Sequence, residues 1–296
     1  MPETLLVTGA GGHLGRRVIA NLLETAKIHP ERIIAATRKP ADHADLANLG
    51  VRVRHADFND PASMASAFAG ADRMLLISTD AVDKPGARLV QHKAAIDAAG
   101  KAGVTHIVYT SMPNPEPGNA VTFAPDHYGT EQALGASGVN WTILRDSWYQ
   151  ENLMGYLPSA LKGGQWYSAA GEGRLAHIAR EDCARVAALV LASPPAGNPT
   201  FTLTGSKGMT TREIAALASE VLGKPIAVVD VTPEQLAGGM KGAGVPEFLI
   251  PMLVSFDVSA KAGDLDIVTE DVKTLSGRDP ASLSDFLIAS KAALLA

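Results

Sequence analysis

The first residues in the chain that could do chemistry are four glycines near its start. Gly9, Gly12 and Gly15 follow the spacing GxxGxxG, and Gly11 lies between the first two. Glycine lets a backbone turn sharply and approach a phosphate closely, and the unpaired N–H groups at a helix start attract the phosphate charge. An ordinary strand-to-helix turn is the alternative interpretation. The residues predicted to cradle the pyrophosphate of a dinucleotide are Gly9, Gly11, Gly12, His13 and Leu14.

The second candidate group is a pair of cations, Arg38 and Lys39, which directly follow Thr37. In a dinucleotide-binding fold, the residue that ends the second strand lies near the adenosine ribose, and an acidic residue there selects a free 2′-hydroxyl. No carboxylate occurs at this position. Because a guanidinium can bind phosphate through two hydrogen bonds, Arg38 predicts a 2′-phosphate and therefore NADP(H) as the cofactor. A solvated basic loop end is the alternative.

Polar and aromatic residues follow two further predicted strands. Asp57 and Phe58 come after the third strand, where a carboxylate and a ring could border the adenine. Ser78 and Thr79 end the fourth strand, at the mouth where the nicotinamide half should lie. We predict that these four residues contact the cofactor. Asp57 could equally form a turn, and Ser78 and Thr79 could cap the following loop.

The elements that must position these residues alternate between strand and helix. Short apolar runs predict strands at Leu5–Val7, Ile33–Thr37, Val51–His55, Met74–Ser78, His106–Thr110 and Trp141–Leu144. Helices are predicted between them, including Ala87–Ala102 and Asp126–Ala136. Parallel strands need crossover helices, so this alternation predicts an α/β fold: a Rossmann doubly wound parallel sheet with helices on both faces.

The pattern loosens after Arg145. Helices are predicted at Arg180–Ala192, after the capping residues Thr210 and Thr232, and over Pro246–Ala262 and Ser282–Leu295, with a late strand at Phe201–Thr204. We therefore predict a dinucleotide-binding Rossmann domain over residues 1–150. A smaller C-terminal α/β substrate lobe should occupy residues 151–296, with part of it crossing back to the sheet.

Composition excludes several classes of protein. The 296 residues are 46% hydrophobic with a formal net charge of −5 and no Lys/Arg-rich run, which argues against a nucleic-acid partner. No segment approaches the ~18 apolar residues of a membrane span. The first strand leaves no room for a signal peptide, so we expect a cytoplasmic protein without membrane contact. Cys183 is the one cysteine, so we predict no disulfide and no metal site. The oligomeric state stays open.

The TGxxGxxG start, Arg38, Asp57-Phe58, the LLIST run and the segment WTILRDSWYQEN resemble the NmrA-like branch of the short-chain dehydrogenase/reductase superfamily. Within this branch the chain is most similar to the bacterial NAD(P)H:quinone oxidoreductase type 2 and triphenylmethane reductase group. The similarity continues through AGVPEFL, SFDVSAKAGDL and KTLSGRDPASL, to which we assign no chemistry. The resemblance implies an NADPH-preferring reductase whose small C-terminal lobe closes over the nicotinamide.

The resemblance also implies roles for residues after the sixth strand. There the loop borders the nicotinamide ribose and the substrate, which makes Asp146 a cofactor contact, although relatives commonly have Asn at this position. Trp148 and Tyr149 would form an aromatic wall for a flat acceptor, and core packing is the alternative. Arg180 begins a helix where relatives also have a basic residue, so it should reach back to the cofactor.

The usual short-chain dehydrogenase mechanism is incomplete in this chain. It needs Tyr-x-x-x-Lys, in which the lysine lowers the pKa of the tyrosine. Here Gln132 stands four residues after Tyr128, and no lysine occurs between Lys101 and Lys162. This departure counts against an alcohol dehydrogenase or a sugar-nucleotide epimerase. We predict His127 and Tyr128 as the candidate catalytic residues, with capping or packing as the alternative for His127 and packing for Tyr128.

Two functions are consistent with these observations. The first is an NADPH-dependent reductase that transfers hydride to quinones or similar electron-poor acceptors. A quinone that takes up hydride becomes an aromatic phenolate that water can protonate, so proximity and orientation are the main needs. The alternative is a non-catalytic NADP sensor that acts through a protein partner. The predicted aromatic wall favours the enzyme, because a sensor does not need one.

Overall fold

The structure is a computed structural model that describes residues 2–296. Within them, the strands are β1 (Leu5–Val7), β2 (Ile33–Thr37), β3 (Arg52–His55), β4 (Arg73–Leu76), β5 (His106–Ser111), β6 (Asn140–Asp146), β7 (Gln165–Ser168), β8 (Arg174–Leu175), β9 (Thr200–Leu203), β10 (Met209–Thr210) and β11 (Ala227–Asp230). Seven of them form one parallel sheet in the order β3-β2-β1-β4-β5-β6-β9. Two small two-stranded sheets, β10-β8 and β11-β7, lie in the second half of the chain.

The helices alternate with these strands in the first half and dominate the end of the chain. They are α1 (His13–Glu24), α2 (Ala44–Asn48), α3 (Pro61–Phe68), α4 (Ala87–Lys101), α5 (Ala124–Ala136), α6 (Leu157–Gly163), α7 (Arg180–Ala192), α8 (Thr211–Leu222), α9 (Pro233–Gly242), α10 (Ile250–Ala262), α11 (Asp271–Ser276), α12 (Leu283–Ala289) and α13 (Lys291–Leu295). Short 3₁₀ helices span Pro30–Arg32, Pro40–His43 and Gln150–Gly155.

The strand order reverses direction at β1, which pairs with β2 on one side and β4 on the other. Leu5 stands opposite both Ile33 and Arg73 in these two parallel ladders. In open α/β sheets, ligands bind beyond the carboxyl ends of the strands at such a reversal point. The prediction of a Rossmann doubly wound sheet with further α/β structure in the second half is confirmed.

Both faces of the sheet are buried, which explains why its strands are continuous apolar runs. Leu5 and Val7 of β1 pack in one cluster with Val18 of α1 and with Cys183 of α7. Leu6 belongs to the cluster on the opposite face. Cys183 is therefore a core residue. The alternation of side chains along β1 fixes which helices cover each face.

The second half of the chain completes the main sheet. β9 pairs in parallel with β6, with Thr200 opposite Ile143, and α7 packs against α1. The predicted caps are present, because the Thr210 side chain accepts from the Glu213 N–H in a full capping box. Thr232 does the same at α9. The domain boundary at residue 150 stays a prediction.

Several predicted bounds need correction. β2 and α7 match the prediction, but β4 ends at Leu76, so Ser78 lies in the loop beyond it. The helix predicted from Pro246 begins at Ile250, and the segment Ser282–Leu295 contains two helices. Several short elements had no prediction: these are α2, α6, β7, β8, β10, β11, α11 and the three 3₁₀ helices.

Candidate functional site

Glycine is favoured at each position of the glycine turn for a different structural reason. Gly9 has φ +58°, which favours glycine, and Gly12 begins α1 without a side-chain cap. A Cβ at Gly15 would lie 2.3 Å from the Gly9 carbonyl oxygen, so Gly15 allows the helix to pack on the turn. A Cβ at Gly11 would lie 2.3 Å from Nε2 of His43. Gly12 and His13 are exposed, so the start of α1 is open to an anion.

The end of β2 is basic, as the sequence predicted. Arg38 and Lys39 are exposed, whereas Thr37 is buried. Nη2 of Arg38 lies 3.5 Å from Oδ2 of Asp80, and the Arg38 carbonyl is 3.1 Å from Nδ1 of His55. Both side chains of this ion pair are mostly exposed to solvent, so the pair is weak. Arg38 can exchange it for a phosphate without disturbing the fold.

Two further basic side chains, Arg16 and His43, lie beside the glycine turn and the end of β2. Neither was among the residues predicted from the sequence. Nη1 of Arg16 lies 3.3 Å from Nδ1 of His43. Arg16 also pairs with Asp45, which raises the pKa of the guanidinium. The sequence offered one signal for Arg16, since it follows Gly12 by one helical turn. No local pattern connects His43 to the turn.

The residues after β3 favour the turn interpretation for Asp57. Its Oδ1 accepts hydrogen bonds from the backbone N–H of Asn59 at 2.8 Å and from the Asn59 side chain at 3.1 Å. Phe58 is half-buried against the core cluster that contains Leu6. Asp57 is thus already engaged in a local turn, and adenine contact by either residue stays a prediction.

The loop after β4 has an unpaired polar atom. The Ser78 N–H donates to Oγ1 of Thr110 at 2.9 Å, and the Thr79 N–H donates to Nε2 of His92 at 3.0 Å. Oγ1 of Thr79 is buried and has no hydrogen-bond partner among residues 2–296. A buried hydroxyl without a partner carries a desolvation cost that a bound ligand could remove.

His127 lies in a buried network below the mouth of the site. Its Nδ1 is hydrogen-bonded to the Tyr109 hydroxyl at 2.8 Å, and the Tyr109 hydroxyl is 3.4 Å from Nδ1 of His92. Burial and the nearby Arg88 lower the pKa of His127 well below 6.5, so the ring is neutral at physiological pH. Its 3% exposed surface favours the packing interpretation over that of a proton donor.

Ser111, the last residue of β5, and Tyr128 do not form a catalytic pair with a lysine. Oγ of Ser111 donates to Oε1 of Glu131 at 2.7 Å, and Arg145 forms two hydrogen bonds with the same carboxylate. Ser111 is therefore committed to Glu131. Tyr128 is half-buried on α5, and Gln132 stands at the position of the missing lysine. The catalytic role of Tyr128 stays a prediction.

Trp148 belongs to a group of three neighbouring aromatic side chains, with Phe256 and Phe123 as the other two. Its ring centroid lies 3.8 Å from that of Phe256 in α10, and Phe256 lies 5.7 Å from Phe123. Phe256 belongs to the SFDVSAKAGDL segment, in which no residue was predicted to take part in the chemistry. These three rings are all half-buried, so they can present a surface to a flat ligand.

Asp146, Tyr149 and Arg180 lie together beyond β6. The Tyr149 hydroxyl donates to Oδ2 of Asp146 at 2.8 Å, while Oδ1 is buried without a partner among the described residues. Burial raises the pKa of Asp146 to about 7. The Arg180 guanidinium lies 5.0 Å from the centre of the Tyr149 ring. Tyr149 is thus engaged on two sides, which makes it less free than Trp148 to contact a substrate.

Arg180 also connects this group to the glycine turn. A cleft of about 350 Å³ is lined by His13, Arg16, Arg17, Glu151, Arg180 and Glu181. Arg180 and His13 therefore face the same space. The predicted approach of Arg180 toward the cofactor is geometrically open, since the cleft lies beside the start of α1.

The residues present fit a dinucleotide with a 2′-phosphate. The open helix start at Gly12 suits the pyrophosphate, and the basic group of Arg38, Lys39 and Arg16 suits a further phosphate at the end of β2. Among residues 2–296, no cluster of three or more His, Cys, Asp or Glu side chains could hold a metal ion. Within the same range, no helix is long and apolar enough to cross a membrane.

The chain is similar to known proteins over almost its whole length. A model of the NmrA-like family matches residues 1–287. Quinone oxidoreductase 2 of Escherichia coli is 36% identical over 272 residues, which are 92% of this chain and 92% of that protein. The crystal structure of NADPH-dependent quinone oxidoreductase from Escherichia coli complexed with NADPH is 34% identical with a TM-score of 0.91, and the match covers 96% of this chain and 98% of that one. Triphenylmethane reductase of Citrobacter sp. complexed with NADP(H) is 31% identical with a TM-score of 0.88, and the match covers 97% and 99% of the two chains.

The fold and the glycine cradle define an NAD(P)-binding protein of the Rossmann class. The family match covers almost the whole chain, and the relatives are similar over more than nine-tenths of their length. The chain belongs to the NmrA-like family. The predicted family resemblance is therefore confirmed.

Proposed function

We propose that this protein is an NADPH-dependent reductase that transfers hydride to quinones or similar electron-poor conjugated acceptors. One observation carries the proposal: the glycine cradle and the basic end of β2 stand in a chain that matches an NADPH-bound quinone oxidoreductase with a TM-score of 0.91. The names of two relatives state what they act on, which is a quinone for one and a triphenylmethane compound for the other.

The main role of the residues in this chain is to bind and orient the two reactants, and proton transfer by side chains is not required. NADPH, when bound, supplies a hydride. The open N–H groups after Gly12 bind pyrophosphate, and Arg38 binds the 2′-phosphate through charge-assisted hydrogen bonds. Trp148 with Phe256 presents an aromatic surface on which a flat acceptor can stack. Holding the two reactants at short range supplies most of the acceleration that such a reaction needs.

The absence of a Tyr–Lys pair agrees with this chemistry. A reduced quinone is an aromatic phenolate, and water can protonate it, so no strong general acid is required. Gln132 occupies the lysine position, and Ser111 is engaged with Glu131. Both features count against reversible proton transfer at an alcohol, which is what a dehydrogenase or an epimerase requires.

The test is the loss of NADPH absorbance with a panel of quinones, run in parallel with NADH. We expect turnover with several quinones and a preference for NADPH. A saturated alcohol with NADP⁺ serves as the control substrate and should give no reaction. Tight NADPH binding without oxidation across the whole panel would refute the reductase and favour the sensor alternative.

A further inference from the structure

A buried arginine that the proposed chemistry has not yet used begins α4. Arg88 is the second residue of this helix, and only 5% of its surface is exposed. Its Nε is buried and has no hydrogen-bond partner among residues 2–296. A buried guanidinium is normally paired, because leaving its donors unsatisfied in a low-dielectric interior is costly. Arg88 therefore needs an explanation.

The position of Arg88 is fixed by its neighbours on both sides. The guanidinium carbon lies 4.8 Å from the centre of the Phe123 ring, and Phe123 packs against Phe256, whose ring contacts that of Trp148 at a tilt of 42°. One helical turn after Arg88, His92 accepts the N–H of Thr79 at 3.0 Å. Arg88 thus lies between the loop after β4 and the aromatic rings, at the carboxyl edge of the sheet.

The charge on Arg88 is retained despite its burial. Burial lowers the pKa of the guanidinium, and the carboxylates of Asp126 and Asp80 act in the opposite direction from beyond ion-pair distance. Since an arginine has an ordinary value of 12.5, it stays protonated at neutral pH. The site therefore contains a fixed cation with an unsatisfied donor beside an aromatic surface.

We propose that Arg88 donates a hydrogen bond to the acceptor oxygen that becomes negatively charged on reduction. The inference rests on the proposed reductase function. The hydride brings both electrons of the reduction, so NADPH becomes NADP⁺, the quinone becomes a hydroquinone anion, and water supplies its proton. Arg88 stabilises the negative oxygen before it is protonated. Hydrogen-bond donors that are already held in place where charge develops have this effect in enzymes. Phe123 holds the guanidinium in place through its ring face.

The experiment measures binding without turnover. The probe is 2-hydroxy-1,4-naphthoquinone, whose hydroxyl is ionised at neutral pH, and its matched neutral control is 2-methoxy-1,4-naphthoquinone. Each is titrated into protein saturated with NADP⁺ by quenching of tryptophan fluorescence. For Arg88→Met we expect the Kd of the ionised probe to rise about 10- to 100-fold, the loss of a hydrogen bond to a charged group. The neutral control should change much less, and Arg88→Lys should recover part of the affinity.

Two readouts separate this role from a structural one. Removing an unpaired buried charge should leave the Tm of Arg88→Met equal to wild type or higher, whereas Arg185→Met, which leaves the buried Asp182 without its ion-pair partner, should lower it. The affinity for NADPH should not change in Arg88→Met. Equal binding of the ionised probe by wild type and variant, or a loss confined to NADPH, would overturn the proposal.

Steady-state kinetics distinguish failure of this inference from failure of the reductase function. We expect kcat/KM for 1,4-benzoquinone to fall in Arg88→Met by a factor similar to the loss of probe affinity. A wild-type protein that reduces quinones, together with an Arg88→Met variant of equal kcat/KM, would refute the role of Arg88 alone. A wild-type protein that oxidises no NADPH would refute the reductase and with it the assignment of Arg88 to an acceptor.

Discussion

The carboxyl group of Asp146 should make the stability of this protein depend on pH. It is buried at the end of β6, one oxygen accepts from the Tyr149 hydroxyl, and the other has no partner among residues 2–296. Burial raises its pKa from an ordinary value of 3.8 to about 7. Asp146→Asn keeps the shape of the side chain and removes the ionisation, so the variant isolates the free energy of this one group.

The direction in which stability changes with pH depends on whether the folded or the unfolded chain binds the proton of Asp146 more tightly. Below pH 4 both the folded and the unfolded chain hold it, and the group contributes nothing. Between about pH 4 and pH 7 the unfolded chain loses the proton while the folded chain keeps it, so stability falls as the pH rises. Above pH 7 the penalty is constant at about 4 kcal/mol, because each pKa unit corresponds to about 1.4 kcal/mol.

The assay is urea unfolding of wild type and Asp146→Asn at pH 5 and pH 8, followed by tryptophan fluorescence. We expect the variant to gain stability relative to wild type as the pH rises, by about 3 kcal/mol between these two values. Other titrating groups cancel in the comparison. The neighbours Tyr149 and Cys183 stay neutral over this range, since burial raises the pKa of both well above its ordinary value.

A matched control is Asp182→Asn. Asp182 is also buried, but it pairs with Arg185 and accepts the N–H of Ala281 at 2.7 Å. Its replacement leaves Arg185 without a partner and should lower stability at both pH values. If Asp146→Asn shifts stability by the same amount at pH 5 and pH 8, the carboxyl is already ionised in the folded protein and the argument from burial is wrong.

Three further predictions concern the proposed reaction. Arg38→Ala should lose about 1.5–3 kcal/mol of NADPH binding with little change for NADH; titration with both nucleotides checks this, and an unchanged preference would move the 2′-phosphate contact to Lys39. Gly12→Val should abolish cofactor fluorescence enhancement while circular dichroism stays near wild type. Its φ of −79° admits any residue, so the effect is steric, and retained binding would mean that this turn does not approach the phosphates. Tyr128→Phe should keep kcat within about tenfold of wild type, since a general acid would account for ~10²–10⁴-fold; a thousandfold drop in kcat at saturating NADPH would show that an unidentified group activates the tyrosine.

Local sequence was sufficient for most of the first half of the fold. The run IIAAT has the bounds of β2, and all five of its residues are buried, as is typical of an interior strand of a parallel sheet. The helix over Arg180–Ala192 and the capping box at Thr210 follow from the residue types within one or two helical turns. The glycine turn and the missing carboxylate after Thr37 likewise depend on neighbours in sequence, and they were enough to predict the cofactor class.

The sequence was less informative where contacts join distant segments. The short elements between Asp146 and Ile178 have no regular period, and they are held by pairing with later strands such as β11. The same is true of Phe256, which approaches Trp148 because α10 packs beside the segment that leads into α5. Periodicity reports which face of an element is buried, and it does not report which other element buries it.

Residue chemistry at the site was likewise decided by tertiary structure. His127 has an ordinary titrating side chain in the sequence, yet burial beside Tyr109 and Arg88 makes it neutral. The sequence of α4 gives no sign that Arg88 is buried. The elements packed around the helix bury its side chain and leave its Nε without a hydrogen-bond partner among residues 2–296. The sequence by itself determined the Rossmann sheet and the class of cofactor, because short-range patterns encode them. The glycine turn as the pyrophosphate site and Arg38 as the contact for a 2′-phosphate stay predictions. The charge states and partners of the buried groups depend on desolvation, which exists only once the chain has folded.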